Sequence, residues 1–475
     1  MFWSKTTKFL LFLSSLYILQ VVVAFSSLQH DFYRFEQQLT LENQAMRTIE
    51  IEQHNNISDI HKATKPWTFI VYMAADNDLR AFAANNIKQM ESIGSNEYIN
   101  IIICLHIRLN GNQKITRWYY VEKNKIIPMG QEYHNHKMDS GDPQSLITCC
   151  KWAIESFPAQ NYALIFWNHG TGIIDPKHYR LINPAELFTF NPTTNRFDLD
   201  RSINYLDLFE YFDMDQRGIC WDNSSGNYLT NQKLEFALNE ICSKHLHGKF
   251  KLIGFDACLM SMLEIGNLIK DYAEIMVGSQ EVELGTGWNY AYILQPFIEN
   301  NPTPIALANH IVKAYKMVYE PITNDFTQSA VDLNRIKELE HNVNHVASLL
   351  LQCLQIQVNN SVRKAIQESR NRRICTHFDV PSYIDLANFY SNLLANIGKF
   401  RISQSQQIIS QLSAALHEGK KIISSIVFSN TSGKNLKKAH GLSIYFPEQY
   451  IDPSYTKCRF ALENNWIQFI QRYRN

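Results

Sequence analysis

The sequence lacks several patterns that would assign a chain of this size to a common functional class. It has no long run of basic residues, and Lys plus Arg and Asp plus Glu each number 45, so the formal net charge is zero. A nucleic-acid partner is therefore not expected, because such proteins carry a concentrated basic face. The nine cysteines include no C-x-x-C pair, which argues against a metal centre built on cysteine.

Short catalytic and nucleotide-binding motifs are also absent. No G-x-S-x-G sequence is present for a serine hydrolase, and Gly170-Thr171-Gly172 lacks the third glycine of a dinucleotide-binding loop. Asp213 and Asp215 resemble the start of a calcium-binding loop, but Arg217 and Ser224 occupy later ligand positions. The sequence thus predicts no cofactor and contains no recognisable metal site.

The N-terminus is predicted to direct export. Lys5 and Lys8 precede an apolar stretch from Phe9 to Ala24, which ends in small residues typical of a cleavage site. This stretch is shorter than the ~20 apolar residues of a membrane span. A cleaved signal peptide over residues 1–24 is therefore preferred to an uncleaved anchor, which would keep the protein at the membrane. The expected location is secreted, periplasmic or at the cell surface.

The cysteine count adds one constraint to an exported chain. Nine is an odd number, so at least one thiol is expected to stay free. Cys104 and Cys149 fall in apolar stretches and are interpreted most simply as core residues.

The first part of the presumed mature chain is predicted to be α/β. Residues 25–66 are polar and are interpreted as a pro-segment or linker rather than a core element, with weak helical periodicity from Phe32 to Ile51. Over residues 67–300, strands alternate with helices, one of them capped by Thr230. That alternation predicts a parallel sheet covered on both faces. Residues 174–217 are too irregular for one crossover, and loops of that length are usually functional or mobile.

The remaining residues, 301–475, are rich in predicted helix. They are interpreted as a second domain or a helical cover. Two apolar runs, Ile422 to Phe428 and Gly441 to Phe446, are predicted as final strands that return to the core.

The candidate chemistry lies where two short apolar runs end. Tyr162 to Trp167 precedes His169, and Phe250 to Phe255 precedes Cys258. Because the carboxyl ends of parallel strands meet at one edge of a sheet, we expect this histidine and this thiol to act as base and nucleophile. A helix predicted from Leu259 onward would favour the thiolate at its N-terminus. A buried structural cysteine is the alternative.

Two neighbours of this pair are candidates for binding the substrate. Gly170 allows close backbone approach, so the N–H groups of Gly170 and Cys258 are predicted to form an oxyanion hole. Asp256 lies two residues before Cys258, on the same side of the strand. Three roles are open for Asp256. It could orient His169, it could bind a guanidinium in a bidentate manner, or it could be a solvated loop carboxylate.

Seven short sequences between residues 71 and 447 support a family resemblance. They are Val71–Asn77, Trp167–Gly170, Gly218–Asp222, Gly254–Met260, Gly278–Glu281, Gly285–Trp288 and Gly441–Pro447. Together they resemble the clostripain family of cysteine peptidases, in the clan that also holds caspases, legumains and gingipains. The resemblance implies a caspase-like α/β/α sandwich around a mostly parallel sheet, with an additional helix-rich C-terminal region.

The resemblance also implies roles for individual residues. His169 matches the catalytic histidine and Cys258 the nucleophile, while Asp256 matches the acid that confers a preference for Arg, or Lys, before the cut bond. Gln280 stands where such enzymes tend to have a second acidic residue, and the adjacent Glu281 is the candidate for that substrate-binding role. Calcium dependence, which occurs in some members, stays open.

The resulting hypothesis is an exported cysteine endopeptidase that cuts proteins or peptides after basic residues. Many relatives mature by self-cleavage between the His and Cys segments, so residues 174–217 are the expected place. The basic residues there are Lys177, Arg180, Arg196, Arg201 and Arg217. The alternatives are a peptidase of different specificity, which Gln280 would favour, and a catalytically silent binding protein on the same fold.

Overall fold

The structure is a computed structural model that describes residues 29–42, 63–129, 137–174, 187–202, 218–402 and 406–474. The predicted signal segment, residues 1–24, lies outside these ranges. Within them, no helix combines the length and the apolar character that crossing a bilayer requires.

The strands alternate with helices along much of the chain, as the sequence predicts. The strands are β1 (Lys65–Ala75), β2 (Ile99–Arg108), β3 (Lys114–Glu122), β4 (Lys125–Met129), β5 (Ala159–Trp167), β6 (Phe188–Asn191), β7 (Arg196–Leu199), β8 (Gly218–Asp222), β9 (Asn227–Thr230), β10 (Leu252–Asp256), β11 (Ile275–Gly278), β12 (Thr327–Asp332), β13 (Tyr383–Asp385), β14 (Val427–Ser432) and β15 (Ser443–Tyr445).

The helices cover this framework on both faces. They are α1 (29–42), α2 (Arg80–Ile93), α3 (Pro143–Ser156), α4 (Asn231–Ile241), α5 (Leu263–Ile269), α6 (Tyr290–Ile293), α7 (Pro304–Tyr319), α8 (Ile336–Ile356), α9 (Ser361–Ser369), α10 (Leu386–Asn396), α11 (Gln406–Ile426), α12 (Arg459–Glu463) and α13 (Trp466–Arg474). Helix α4 is capped as expected, since the Thr230 hydroxyl accepts a hydrogen bond from the Lys233 N–H at 3.0 Å.

Nine strands form one mostly parallel sheet in the order β14-β12-β11-β10-β5-β1-β2-β3-β4. The five strands from β11 to β2 are parallel, and antiparallel strands extend both sides. Alternate residues of β1 point into two separate apolar cores, as the period of two requires: Ile70 and Tyr72 into one, Phe69 and Val71 into the other. The predicted sheet with helices on both faces is confirmed.

The N-terminal helix contradicts the expectation that residues 25–66 stay outside the core. In α1, the side chains of Phe32, Phe35 and Leu39 are buried and join one of the two cores. A salt bridge of 2.7 Å between Lys88 and Asp31 fixes the same helix to α2. The spacing i, i+3, i+7 gives this otherwise polar segment one apolar face, and that face is sufficient to dock it.

Two local predictions also need correction. Residues Ile422 to Ile426 are the last turn of α11, and the strand begins only at Val427, because a short apolar run does not distinguish a helix end from a strand. Cys104 and Cys149 are buried as expected, but they form a disulfide between β2 and α3, so they are more than apolar core residues.

Strands from residues 301–475 belong to the same sheet as the first half of the chain. β12 pairs antiparallel with β11, and β14 pairs antiparallel with β12. Ser443–Tyr445 forms a short second sheet with β13. Within the long predicted loop, β6 and β7 form a hairpin, and the rest of that loop outside residues 187–202 is not among the described residues.

Candidate active site

The register of β5 and β10 brings the predicted base and nucleophile to neighbouring positions. These strands are parallel, and Trp167 pairs with Asp256 at their carboxyl ends. His169 and Cys258 each follow two residues later, and both line one cavity. The sequence-based expectation that they meet at this edge of the sheet therefore agrees with the geometry.

The segment before His169 is fixed by the side chain of Asn168. Its Nδ2 donates to the Ala74 carbonyl at the end of β1, and its Oδ1 accepts from the Trp221 N–H at 2.9 Å. The buried imidazole of His169 then contacts Asp78, with 2.8 Å between Nε2 and Oδ1. The other ring nitrogen, Nδ1, therefore lies on the side of the imidazole away from Asp78.

Cys258 lies in a tight turn rather than at the start of a helix. Helix α5 begins only at Leu263, which corrects the expectation that the helix starts at Leu259. Leu259 has a positive φ of 63°, a conformation that costs about 1–3 kcal/mol for such a residue and often occurs at functional sites. The buried Sγ of Cys258 accepts a hydrogen bond from the Glu283 N–H at 3.2 Å.

Gly170 is required by the close approach of the segments that carry His169 and Cys258. A Cβ at this position would lie 2.5 Å from the Cys258 carbonyl oxygen, closer than any side chain tolerates. The chain therefore needs glycine here, and its backbone lies against that of Cys258. The use of their N–H groups as an oxyanion hole stays a prediction.

Asp256 is buried and lines the same cavity. Its carboxylate accepts hydrogen bonds from the Trp288 N–H and the Tyr290 hydroxyl, each at 2.8 Å. Burial raises the pKa of Asp256 to about 7, although these hydrogen bonds oppose the shift. Because His169 contacts Asp78, the structure assigns the orienting contact to Asp78, and Asp256 is left to face the cavity.

A second carboxylate, Glu283, lies beside Asp256 and was missed by the sequence analysis. Burial, together with the charge of Asp256, raises the pKa of Glu283 well above its usual range. Both side chains line the cavity. Glu283 follows β11 by five residues, in the same acidic stretch as Glu281, and the sequence analysis named Glu281 rather than Glu283.

Glu281 occupies a different environment. Its fully buried carboxylate forms a salt bridge of 2.9 Å with Arg201, which also contacts Asp325 at 3.1 Å. It also accepts a hydrogen bond from the Asp379 N–H at 2.8 Å. The structure therefore does not bring Glu281 into the cavity with Cys258, and a contact with substrate would require Arg201 to leave.

The cavity is narrow in this structure. Its volume is about 30 Å³, room for about two water molecules at most and too little for an arginine side chain. Leu187, which precedes the β6–β7 hairpin, lines one wall together with Cys258. The hairpin comes from the long segment between His169 and Cys258, so this segment helps to close the cavity.

The described residues contain no group of three or more His, Cys, Asp or Glu side chains placed to hold a metal ion. The calcium-like residues Asp213 and Asp215 lie outside the described ranges.

Comparison with known proteins identifies the family. The model of the clostripain family matches residues 71–195 and 207–473. The chain belongs to the clostripain family. Clostripain from Hathewaya histolytica is 25% identical over 266 residues, which are 51% of this chain and 44% of that protein. The chain thus spans less than half the length of this clostripain relative.

Solved structures show the same fold. A secreted cysteine protease from Bacteroides thetaiotaomicron, in complex with an irreversible peptide inhibitor, has a TM-score of 0.55 at 16% identity and covers 85% of this chain and 99% of its own. An inactive protease zymogen from Parabacteroides distasonis has a TM-score of 0.53 at 17% identity. The match covers 86% of this chain and 99% of the zymogen. The caspase-like fold expected for a clostripain-family chain is confirmed.

Proposed function

We propose that the protein is a cysteine endopeptidase in which Cys258 is the nucleophile and His169 the general base. The observation that carries this proposal is the common cavity shared by the two side chains at the ends of adjacent parallel strands. A thiol beside an imidazole that a carboxylate orients is the arrangement that nucleophilic catalysis requires. Membership of the clostripain family supports the same reaction.

The proposed reaction proceeds through a thioester. His169 takes the thiol proton, the thiolate of Cys258 attacks the scissile carbonyl carbon, and the N–H groups of Gly170 and Cys258 stabilise the oxyanion. The imidazolium then protonates the leaving amine as the C–N bond breaks. His169 next deprotonates a water molecule that attacks the thioester, which releases the acid and the thiol. These steps use protein groups alone, so activity is expected to survive EDTA treatment.

Specificity for basic residues is proposed to come from Asp256. Asp256 lines the cavity together with Glu283, and a substrate guanidinium would supply the cation that these buried carboxylates lack. Arg is expected to be preferred to Lys, because its planar fork pairs with a carboxylate through two hydrogen bonds.

Labelling would test the nucleophile. An arginyl acyloxymethyl ketone should modify Cys258, as located by mass spectrometry, and Cys258→Ala should abolish both labelling and peptidase activity. Cys242→Ala is the matched control, since this buried thiol contacts Tyr272 near the opposite edge of the sheet. This variant should leave both labelling and activity unchanged.

Label on another cysteine, or activity of Cys258→Ala within roughly tenfold of the parent, would reject the assignment. A protein that neither labels nor cuts would be the silent binding protein.

Maturation by self-cleavage between the His and Cys segments is part of the proposal. Leu187 lines the narrow cavity, and cutting the segment that carries it would free this wall. Purified wild type should give two fragments that meet within residues 174–217, whereas Cys258→Ala should remain one band. The same cleavage in both proteins would assign the cut to another protease.

Export is proposed from the apolar segment that ends at Ala24 and is consistent with the disulfide between Cys104 and Cys149, since disulfides persist in oxidising compartments. N-terminal sequencing of the native secreted protein should begin at Phe25 or further along the chain. An intact Met1 in a membrane fraction would instead indicate an anchored protein.

A further inference from the structure

A second and larger cavity lies at the same edge of the sheet as Cys258. Its volume is about 580 Å³, within the range of roughly 300–1,000 Å³ that is typical of ligand sites. Four segments line it: the end of the β6–β7 hairpin at Arg201, the segment before β12 at Asp325, residues 372–381, and residues 435–438. Neither the sequence motifs nor the proposed catalytic groups assign a role to it.

The rim of this cavity is cationic. Arg372, Arg373, Lys437 and Lys438 line it, and all four residues are exposed. Within the described ranges none of their side chains forms an ion pair or a hydrogen bond. Four positive charges that converge on one cavity without an anionic partner repel one another, so a bound anion would be favoured there.

The negative charges at the base of the cavity are partly compensated. Asp325 binds Arg201 at 3.1 Å and accepts a hydrogen bond from Asn435 at 2.9 Å. The other lining acid, Asp379, is buried. With Arg201 included, five cations and two carboxylates line the cavity, so its net charge is positive.

The topology places this cavity beside the catalytic cysteine. β10 ends before Cys258, β12 begins after Asp325, and β14 ends before Lys437, which puts all three at one edge of the sheet. From β10, β12 is two strands away and β14 three. At about 4.8 Å per strand this is about 10–15 Å, a distance that an extended peptide covers in about three to five residues.

We propose that this cavity is a substrate subsite that takes an acidic stretch about three to five residues from the cut bond. The inference rests on the proposed peptidase function and deepens it. The preferred substrate would then carry charges of opposite sign, with a basic residue facing Asp256 and acidic residues facing Lys437, Lys438, Arg372 and Arg373. The closeness of Cys258 favours a polypeptide over a small free anion.

Quenched fluorescent peptides would test the preference. Each peptide contains one Arg in a neutral frame and three Glu residues, beginning three positions from the cut bond on either the amino or the carboxyl side. A matched set carries Gln in place of Glu. We expect kcat/KM to be about tenfold higher for the Glu peptide on one side at low salt, as three exposed charge pairs would give together, and this preference should fall as salt is added.

Charge reversal identifies the site responsible. The Lys437→Glu/Lys438→Glu variant should lose the preference for Glu peptides while it retains the rate on Gln peptides. The control, Lys123→Glu/Lys151→Glu, makes the same charge change at two exposed residues, on the β3–β4 turn and on α3, and should keep the preference. Equal rates for Glu and Gln peptides on both sides, or a preference that survives reversal at Lys437 and Lys438, would overturn the proposal.

A binding measurement separates this proposal from the proposed catalysis. Fluorescence anisotropy of a labelled Glu-rich peptide with the Cys258→Ala protein needs no turnover, so binding that Lys437→Glu/Lys438→Glu removes supports the subsite even if no peptide is cut. Activity on Gln peptides without such binding would reject the subsite and leave the peptidase assignment standing. Displacement by low concentrations of inorganic phosphate would assign the cavity to a small anion and also overturn the proposal.

Discussion

Two pairs of buried carboxylates lie at the same edge of the sheet, and their surroundings differ in one respect. Glu281 and Asp325 share Arg201, whose guanidinium contacts both. Asp256 and Glu283 contact no Lys or Arg side chain among the described residues, and burial raises the pKa of both. The first pair carries its own cation, whereas the second can gain one only from outside the described chain.

This difference separates carboxylates that already have a cation partner from carboxylates that could gain one from a substrate. Burying a charge is costly unless it is paired, so the Arg201 contacts stabilise the β6–β7 hairpin against the segment before β12. Burial of Asp256 and Glu283 favours their protonated forms instead, and under our proposal a substrate cation would favour the ionised form of Asp256. The two pairs also explain why Glu281, although acidic and close in sequence, is not placed to bind substrate.

The largest effect is expected from Asp256→Asn. Removing one partner of a buried charge pair costs about 2–5 kcal/mol, which lowers kcat/KM on Arg peptides by about 30- to 5,000-fold. Peptides with Gln before the cut bond, which make no such pair, should lose little. Comparing kcat/KM for the two peptides measures this selectivity, and an equal loss on both would indicate a structural role for Asp256.

Removing the cation from the other pair should lower stability instead. Arg201→Met leaves Glu281 and Asp325 buried without a charge partner, and because the Arg201 side chain is 40% exposed we expect a loss of about 2 kcal/mol rather than the 3–5 of a fully buried pair. Urea unfolding of the Cys258→Ala protein, which cannot cut itself, measures this loss. The control is Arg335→Met, which breaks an exposed pair with Glu338 and should cost less than about 0.5 kcal/mol. Equal losses would show that the Arg201 pair is no stronger than a surface pair.

The sequence could predict the surroundings of Asp256 better than the contacts of Arg201, for physical reasons. His169, Cys258 and Asp256 each follow a short apolar run that ends at a turn, and parallel strands bring such ends together. The contact of Arg201 with Glu281 joins residues 80 positions apart, and no local pattern encodes it. The contact between Asp78 and His169 likewise depends on β1 and β5 being neighbours, which the alternation of strands and helices does not specify.

Local sequence patterns also gave wrong predictions for two helices, α1 and α5. Residues 29–42 have few apolar side chains, yet Phe32, Phe35 and Leu39 fall on one helical face and are sufficient to dock α1. The residues after Cys258 look helical, but the positive φ of Leu259 delays the helix to Leu263. Such a turn depends on contacts from other segments, including the bond from the Leu259 N–H to the Glu281 carbonyl at 3.2 Å.

The raised pKa of Asp256, in the pair that has no cation partner, should appear in the pH dependence of kcat/KM. Asp256 has a pKa of about 7, so it is charged above that pH and takes up a proton below it, while a substrate guanidinium stays charged throughout. The ratio of kcat/KM for Arg over Gln peptides should therefore fall by about tenfold between pH 8 and pH 6. Asp256→Asn should remove this fall, and a ratio that stays constant with pH in the wild type would contradict the assignment.

The smallest effect is expected from Glu283→Gln, and it tests how the two members of the pair divide the charge. Burial and the charge of Asp256 both raise the pKa of Glu283, which favours its neutral form, and a neutral amide of similar shape should replace it with little loss. We expect kcat/KM on Arg peptides to stay within about threefold of the wild type, with the pH midpoint still set by Asp256. A loss as large as that of Asp256→Asn would show that both carboxylates ionise to bind the substrate, whereas Asp325→Asn in the paired site should leave the pH profile unchanged.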